Sequence, residues 1–257
     1  MSLLNGKVVI VTGAGRGIGR AIALAMAASG AAVVVNDVGT SSQGEGADQT
    51  PAQSVVNEIA ATGGRAVANY DSVADWDAAH SIVATAIKNF GRIDGVVNNA
   101  GIFITKPFLN YTVDDFERLS EVNLKGYIYI TQLAVKQMLA QKTRGSVICI
   151  TSAMVRHPIA QVNASVAMIT KGGLEAITLS LAMEYAKDGI RFNAIAPGEV
   201  NTPMHAKDSR DYLRSLSPMG AIAEISDIVE AILYLTEARY VTGEVLHVDA
   251  GAHNGKW

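Results

Sequence analysis

Between the first apolar run of the chain and its first amphipathic stretch lies Thr12-Gly-Ala-Gly-Arg-Gly-Ile-Gly19. Glycines there let the backbone turn sharply and bring N–H groups to the positive end of a helix, an arrangement that grips a diphosphate. The spacing Gly13, Gly17, Gly19 is not the G-x-G-x-x-G of the common dinucleotide fingerprint. Its weight comes from its place between a strand and a helix. Asp37 ends the second apolar run, 18 residues past Gly19, close to where a carboxylate accepts the adenosine ribose hydroxyls. A 2′-phosphate there would meet like charge, so Asp37 favours NAD over NADP. Arg16 pulls the other way, because a guanidinium in the glycine loop suits a phosphate. Of the two, Asp37 weighs more.

The elements that must hold these residues alternate along the chain. Strand-like runs at Lys7–Thr12, Ala32–Asn36, Arg65–Asn69, Gly95–Asn98, Ser146–Ile150, Arg191–Ile195 and Glu244–Val248 are separated by helical patterns. Those patterns cover Gly19–Ser29, Gln53–Thr62, Trp76–Phe90, Val113–Gln141 (one long helix or two), Ala164–Asp188 and Ile225–Thr236. Such alternation predicts an α/β fold, a doubly wound (Rossmann) parallel sheet of about seven strands with helices on both faces. A length of 257 residues suits one domain, 1–257, with no linker or repeat. Gly39–Pro51, rich in Gly, Ser, Thr and Gln, is an insertion read as a plain surface loop rather than a cofactor-side flap.

Composition narrows the function. Hydrophobic residues make up 49% and charged ones 18%, as in a globular chain. A net charge of −3 and a pI near 6.0 give no electrostatic footprint for nucleic acid or an acidic membrane. No uninterrupted apolar run approaches the length of a membrane span, and no basic n-region with an apolar core follows Met1. The expected location is the cytoplasm. Cys149, the single cysteine, sits in an apolar run and reads as core. No spaced cluster of His, Cys, Asp or Glu points to a metal. Asp75, Asp77, Asp114 and Asp115 read as charges at helix N-termini.

Five further segments, in order, are Asn98-Asn-Ala-Gly101, Val122-Asn-Leu-Lys-Gly126, Ile150-Thr-Ser152, Lys171-Gly-Gly173 and Ala196-Pro-Gly198. With the glycine loop they resemble the short-chain dehydrogenase/reductase family over nearly the whole chain, Leu4 to about Gly251. Val35-Asn-Asp37 and Arg65-Ala-Val-Ala-Asn-Tyr-Asp71 are similar to its 3-hydroxyacyl-CoA dehydrogenase branch. The resemblance implies that Gly13, Gly17, Ile18 and Gly19 cradle the pyrophosphate, and that Asp71 and Ser72 lie beside the adenine. It implies that Asn99, Ala100 and Gly101 run along the dinucleotide. Pro197, Gly198, Val200 and Thr202 then border the nicotinamide, Thr202 at its carboxamide. For chemistry it implies Asn123 holding a water, Ser152 polarising the substrate oxygen, and Lys171 anchoring the ribose. It also implies dimers or tetramers, and a substrate lid around 200–217.

The family's proton donor is a tyrosine four residues before the lysine, one helical turn away on the same face. Here that position is Ala167, and no tyrosine occurs between 152 and 171. Three substitutes are open: His157, Ser165, which should point away from Lys171, or a water relay through Asn123, Lys171 and the ribose. Tyr127 and Tyr129 read as packing residues, His205 as an exposed lid histidine, and His247 and His253 as structural. The expected activity is hydride transfer between NAD(P) and a secondary alcohol or ketone with an apolar body. The alternative is a dinucleotide-binding protein with little or no turnover. Trp257 is a candidate anchor in a neighbouring subunit.

Overall fold

Val8–Thr12 forms β1 with all five residues buried. A strand covered on both faces has no polar side to show, which is why its sequence is apolar without alternation. In the computed structural model, which describes residues 3–41, 43–205 and 208–255, seven strands make one sheet: β1, β2 (Ala32–Asn36), β3 (Arg65–Asn69), β4 (Gly95–Asn98), β5 (Gly145–Ile150), β6 (Ile190–Pro197) and β7 (Val245–Val248). The order is β3-β2-β1-β4-β5-β6-β7, and every pairing is parallel. The fold is a doubly wound α/β sheet, as the alternation predicts.

Successive residues of β1 point to opposite faces. Val8 and Ile10 join one core beneath α3 (Trp76–Phe90), α5 (Gly126–Gln141) and α6 (Ser165–Glu184). Val9 and Val11 join the other beneath α1 (Gly17–Ala28), α2 (Thr50–Ala61) and α8 (Ile225–Glu237). Cys149 is fully buried in the first core, where burial pushes its thiol up to about 11. It is inert packing, as its apolar run implies.

The long helical stretch after β4 is neither one helix nor two plain ones. Val113–Leu119 (α4) passes through a π-helical segment, Ser120–Lys125, into α5. Thr112 and Asp115 close a capping box at the start of α4, and Asp75 caps α3 through the Ala78 N–H, so these carboxylates do sit at helix N-termini. α6 is 20 residues long with a mean hydropathy of 1.3, enough by length and composition to cross a bilayer. Here it packs on β6 and the π segment and carries Lys171. A short helix absent from the sequence reading, α7 (Arg210–Ser215), lies in the 200–217 segment. Trp257 lies outside the described residues.

Candidate functional site

Gly13 follows β1 directly and α1 begins at Gly17, both glycines with positive φ (62° and 52°). A side chain on Gly13 would strike Ala100, and one on Gly19 would strike the Gly13 carbonyl oxygen. At Gly17 a Cβ would meet nothing within 4 Å, so that glycine keeps a cradle open above the first turn of α1. The N–H groups of such a turn have no partners inside the helix. Asn99 fixes this loop from the tip of β4. Its Nδ2 donates to the carbonyls of Thr12 (3.1 Å) and Gly13 (2.9 Å), while Thr12 Oγ1 accepts from the N–H groups of Asn99 and Ala100. The cradle therefore opens where the sheet order reverses, between β1 and β4, the place where doubly wound sheets bind ligands.

The cradle widens into a crevice of about 680 Å³ along the carboxyl ends of the strands. One end holds Gly13, Arg16, Gly17, Ile18, Gly19, Asp37 and Ser72, then Asn99, Ala100 and Gly101. Its far end holds Ser152, Lys171, Pro197, Gly198, Val200 and Thr202. Two of the residues expected here are elsewhere. Asp71 does not line the crevice; its carboxylate accepts from Asn69 Nδ2 at 2.9 Å, within a buried asparagine network that also ties Asn36. Asn123 lies behind the wall, 2% exposed. Its amide pairs with both the N–H (2.9 Å) and the carbonyl (3.1 Å) of Ile102 and donates to Thr170 Oγ1 (3.0 Å).

Asp37 is more committed than a free ribose acceptor. Oδ2 accepts from the Gly15 N–H and Oδ1 from the Gly39 N–H, both at 2.6 Å. One carboxylate thus clamps the glycine loop to the start of the insertion, and each oxygen keeps a second lone pair. The insertion departs from the plain-loop reading. Thr40, Ser41 and Gly44 line the crevice, Arg118 donates to the Gln43 carbonyl, and Gly44 lies against Ile102. The segment is anchored by Arg118 and Ile102 and reaches across the glycine-loop end of the crevice. Arg16 reaches into it, 3.6 Å from Asp48 and 3.5 Å from the Thr40 carbonyl.

At the chemical end, β5 and α6 place Ser152 and Lys171 together. Lys171 Nζ donates to the Ile150 carbonyl at 2.9 Å, two residues before Ser152. Burial pulls the Lys171 ammonium down to about 8. Ser152 Oγ accepts from the Met154 N–H at 3.2 Å and caps the short 3₁₀ turn Ala153–Val155, leaving its O–H to donate into the crevice. Ala167 is fully buried with Ile102, Ile104, Leu119 and Val166, so the space a phenol would need is closed by apolar side chains. Among the sequence candidates for the donor, His157 does not line the crevice and Ser165 is exposed on the outer side of α6. Tyr127 is core, and Tyr129 meets Trp76 edge-on. His247 and His253 stack at 4.0 Å, with His253 on Asp249.

The crevice also recruits residues that the sequence reading passed over as lining. Ile102, Phe103, Val122 and Met154 give it an apolar side, and Glu199, Pro203 and His205 close it from the segment after β6. His205 is only 24% exposed and lies between two carboxylates, so the exposed lid histidine of the sequence reading gives way to a crevice residue. Among the described residues no group of three or more His, Cys, Asp and Glu is placed to hold a metal.

Residues 13–253 match the model of a family described as enoyl-(acyl carrier protein) reductase. Three relatives align over nearly all of both chains. An L-rhamnose 1-dehydrogenase (NAD(P)(+)) from Sphingomonas sp. is 37% identical, covering 98% of each chain. A 3-oxoacyl-[acyl-carrier-protein] reductase from Synechocystis sp. is 37% identical, again covering 98% of each. A 3beta-hydroxysteroid dehydrogenase 1 from Eggerthella lenta is 35% identical over 96% of this chain and 94% of its own.

Proposed function

The chain belongs to the short-chain dehydrogenase/reductase family, oxidoreductases that use a nicotinamide cofactor, and from that premise we propose that it interconverts a secondary alcohol and its ketone with NAD. The observation that carries this is one continuous crevice. The open cradle at Gly17 and the residues Asp37, Ser152 and Lys171 all line it. When bound, the nicotinamide supplies or accepts the hydride. The amides of Gly17, Ile18 and Gly19 would hold the diphosphate, and Asp37 would take the adenosine ribose. Lys171 would hold the nicotinamide ribose, and Ser152 would donate to the substrate oxygen, whose developing charge a placed donor stabilises.

Two features favour NAD over NADP. Asp37 sits where a 2′-phosphate would be repelled, and Arg16, the one guanidinium lining the crevice among the described residues, is turned to Asp48 and Thr40. A higher kcat/KM with NAD than with NADP is expected, and a clear NADP preference refutes this part. The relatives' names specify a sugar, an acyl-carrier-protein conjugate and a steroid, so kinship leaves the substrate open. Ile102, Phe103, Val122 and Met154 favour one with an apolar body. A panel of secondary alcohols and ketones followed by NADH absorbance tests the reading. Turnover that drops about 10²-fold or more in Ser152→Ala supports it. Buried Ala167 keeps a second reading in play, a dinucleotide binder without turnover, to which tight NADH binding with no reaction across the panel would point.

A further inference from the structure

Hydride transfer to or from a carbon–oxygen bond needs a proton at the oxygen, and Ala167 cannot supply one. Resting on the oxidoreductase reading above, we propose that His205, held between Glu199 and Asp208 after β6, exchanges that proton with the substrate oxygen.

The local chain builds the arrangement. Pro203–His205 is a 3₁₀ turn in which the His205 N–H donates to the Thr202 carbonyl at 3.0 Å. The Asp208 N–H then donates to the His205 carbonyl at 3.1 Å, which brings Asp208 Oδ2 to 2.7 Å from the ring Nδ1. Glu199 comes from the other side. It lies on the extended stretch after β6, fixed where the Ala223 N–H donates to its carbonyl and the Asn201 N–H donates to Ala223. Its Oε2 stands 3.3 Å from Nε2. A carboxylate on Nδ1 orients an imidazole and sets its tautomer, leaving Nε2 as the nitrogen with a lone pair. Glu199 and His205 line the crevice with Ser152 and Lys171, whereas Asp208 does not line it and is half exposed, facing solvent.

The other ionisable groups lining the crevice are committed. Asp37 accepts two backbone N–H groups and Arg16 faces Asp48, both at the ribose end; Lys171 donates to the Ile150 carbonyl. Burial pushes the Glu199 carboxyl above its ordinary range, with His205 opposing and Asp208 adding to the rise.

In alcohol oxidation the O–H bond breaks and its electron pair forms the second carbon–oxygen bond. The carbinol hydrogen leaves with its own pair as hydride to the bound dinucleotide. The proton lands on His205 Nε2, the imidazolium is held by Asp208 and Glu199, and the proton then passes to solvent on the Asp208 side. Ketone reduction runs the same steps backwards, and no further reactant is needed. His205 touches substrate in this account, while Glu199 and Asp208 are positioning residues.

The test compares wild-type protein with His205→Gln, His205→Ala, Glu199→Gln and a control, His157→Ala. His205→Gln should still bind NADH while kcat falls by about 10²–10⁴-fold, the usual weight of one placed acid–base group. In the oxidation direction wild-type kcat/KM should fall as the pH drops. That limb should vanish in His205→Gln and shift in Glu199→Gln. Imidazole in the buffer should restore part of the His205→Ala rate, which a structural role would not predict, and His157→Ala should keep turnover. A second readout needs no turnover: ¹⁵N NMR of the cofactor-free protein at alkaline pH should show the ring proton of His205 on Nδ1. A His205→Gln enzyme with wild-type kcat and pH profile, or a ring proton fixed on Nε2, overturns the proposal and leaves the oxidoreductase reading standing. A wild-type protein that binds NADH and turns over nothing in the panel overturns both.

Discussion

Lys171 shows how the fold strains a single side chain for the sake of its site. Burial lowers its ammonium from 10.5 to about 8, so the folded chain releases this proton before the unfolded chain does. Between those two values the unfolded state binds more protons, and stability from this group rises with pH. Lys171→Met should therefore raise the melting temperature at pH 7 by a few degrees while removing turnover, the usual trade at a working residue. The gain over wild type should shrink as the pH climbs above about 8; melting curves across that range check it, and a variant less stable at pH 7 contradicts it. Ala167 carries the opposite lesson. Restoring the family's phenol with Ala167→Tyr forces a ring among Ile102, Ile104, Leu119 and Val166, and overpacking of that kind costs about 1–3 kcal/mol. Denaturant unfolding should show that loss with no rise in kcat. An Ala167→Tyr protein that is as stable as wild type and faster would mean the pocket had kept room for the ring.

Among the elements, the π-helical segment is where side chain and backbone depend most on each other. Asn123 satisfies the buried N–H and carbonyl of Ile102 together. Asn123→Leu should destabilise by about 1–3 kcal/mol for each group left orphaned, and should loosen the wall behind Lys171; an unchanged unfolding midpoint would show the pairing to be dispensable. The inner strands β1, β2, β4 and β5 were legible because each is a short run buried on both faces, and the strand ends moved by only a residue or two. The winding at Ser120–Lys125 was not, since one extra residue in a turn leaves no periodic mark in the sequence. α7 was missed because six residues around a single buried leucine, Leu213, carry too little pattern. The glycine loop and the β-strand tips announced themselves through residue type and order. The insertion's partners did not, because Arg118 and Ile102 lie far along the chain from Gln43 and Gly44. His205 was set aside for the same reason: nothing in its local sequence says that Glu199 will fold back onto its ring.

The molecule as a whole gathers the proposed site residues along the carboxyl ends of the strands, where the sheet order reverses between β1 and β4. Elsewhere it leaves apolar surface uncovered: Phe108, Leu109, Val113 and Phe116 before and within α4, and Ile169 and Met183 on α6. Such patches mark contact surfaces, and the proposed assembly is a dimer or tetramer; light scattering that reports a monomer at micromolar concentration would contradict it. Whatever the assembly, the account rests on the cradle at the start of α1. The most direct test is a calorimetric titration of the protein with NADH beside a Gly17→Ala variant, in which a methyl group would occupy the open side of the glycine loop. The account predicts one NADH bound per wild-type chain, and binding lost in a variant that keeps its folded circular dichroism. Absence of heat with the wild-type protein, or equal affinity in the two, would contradict it.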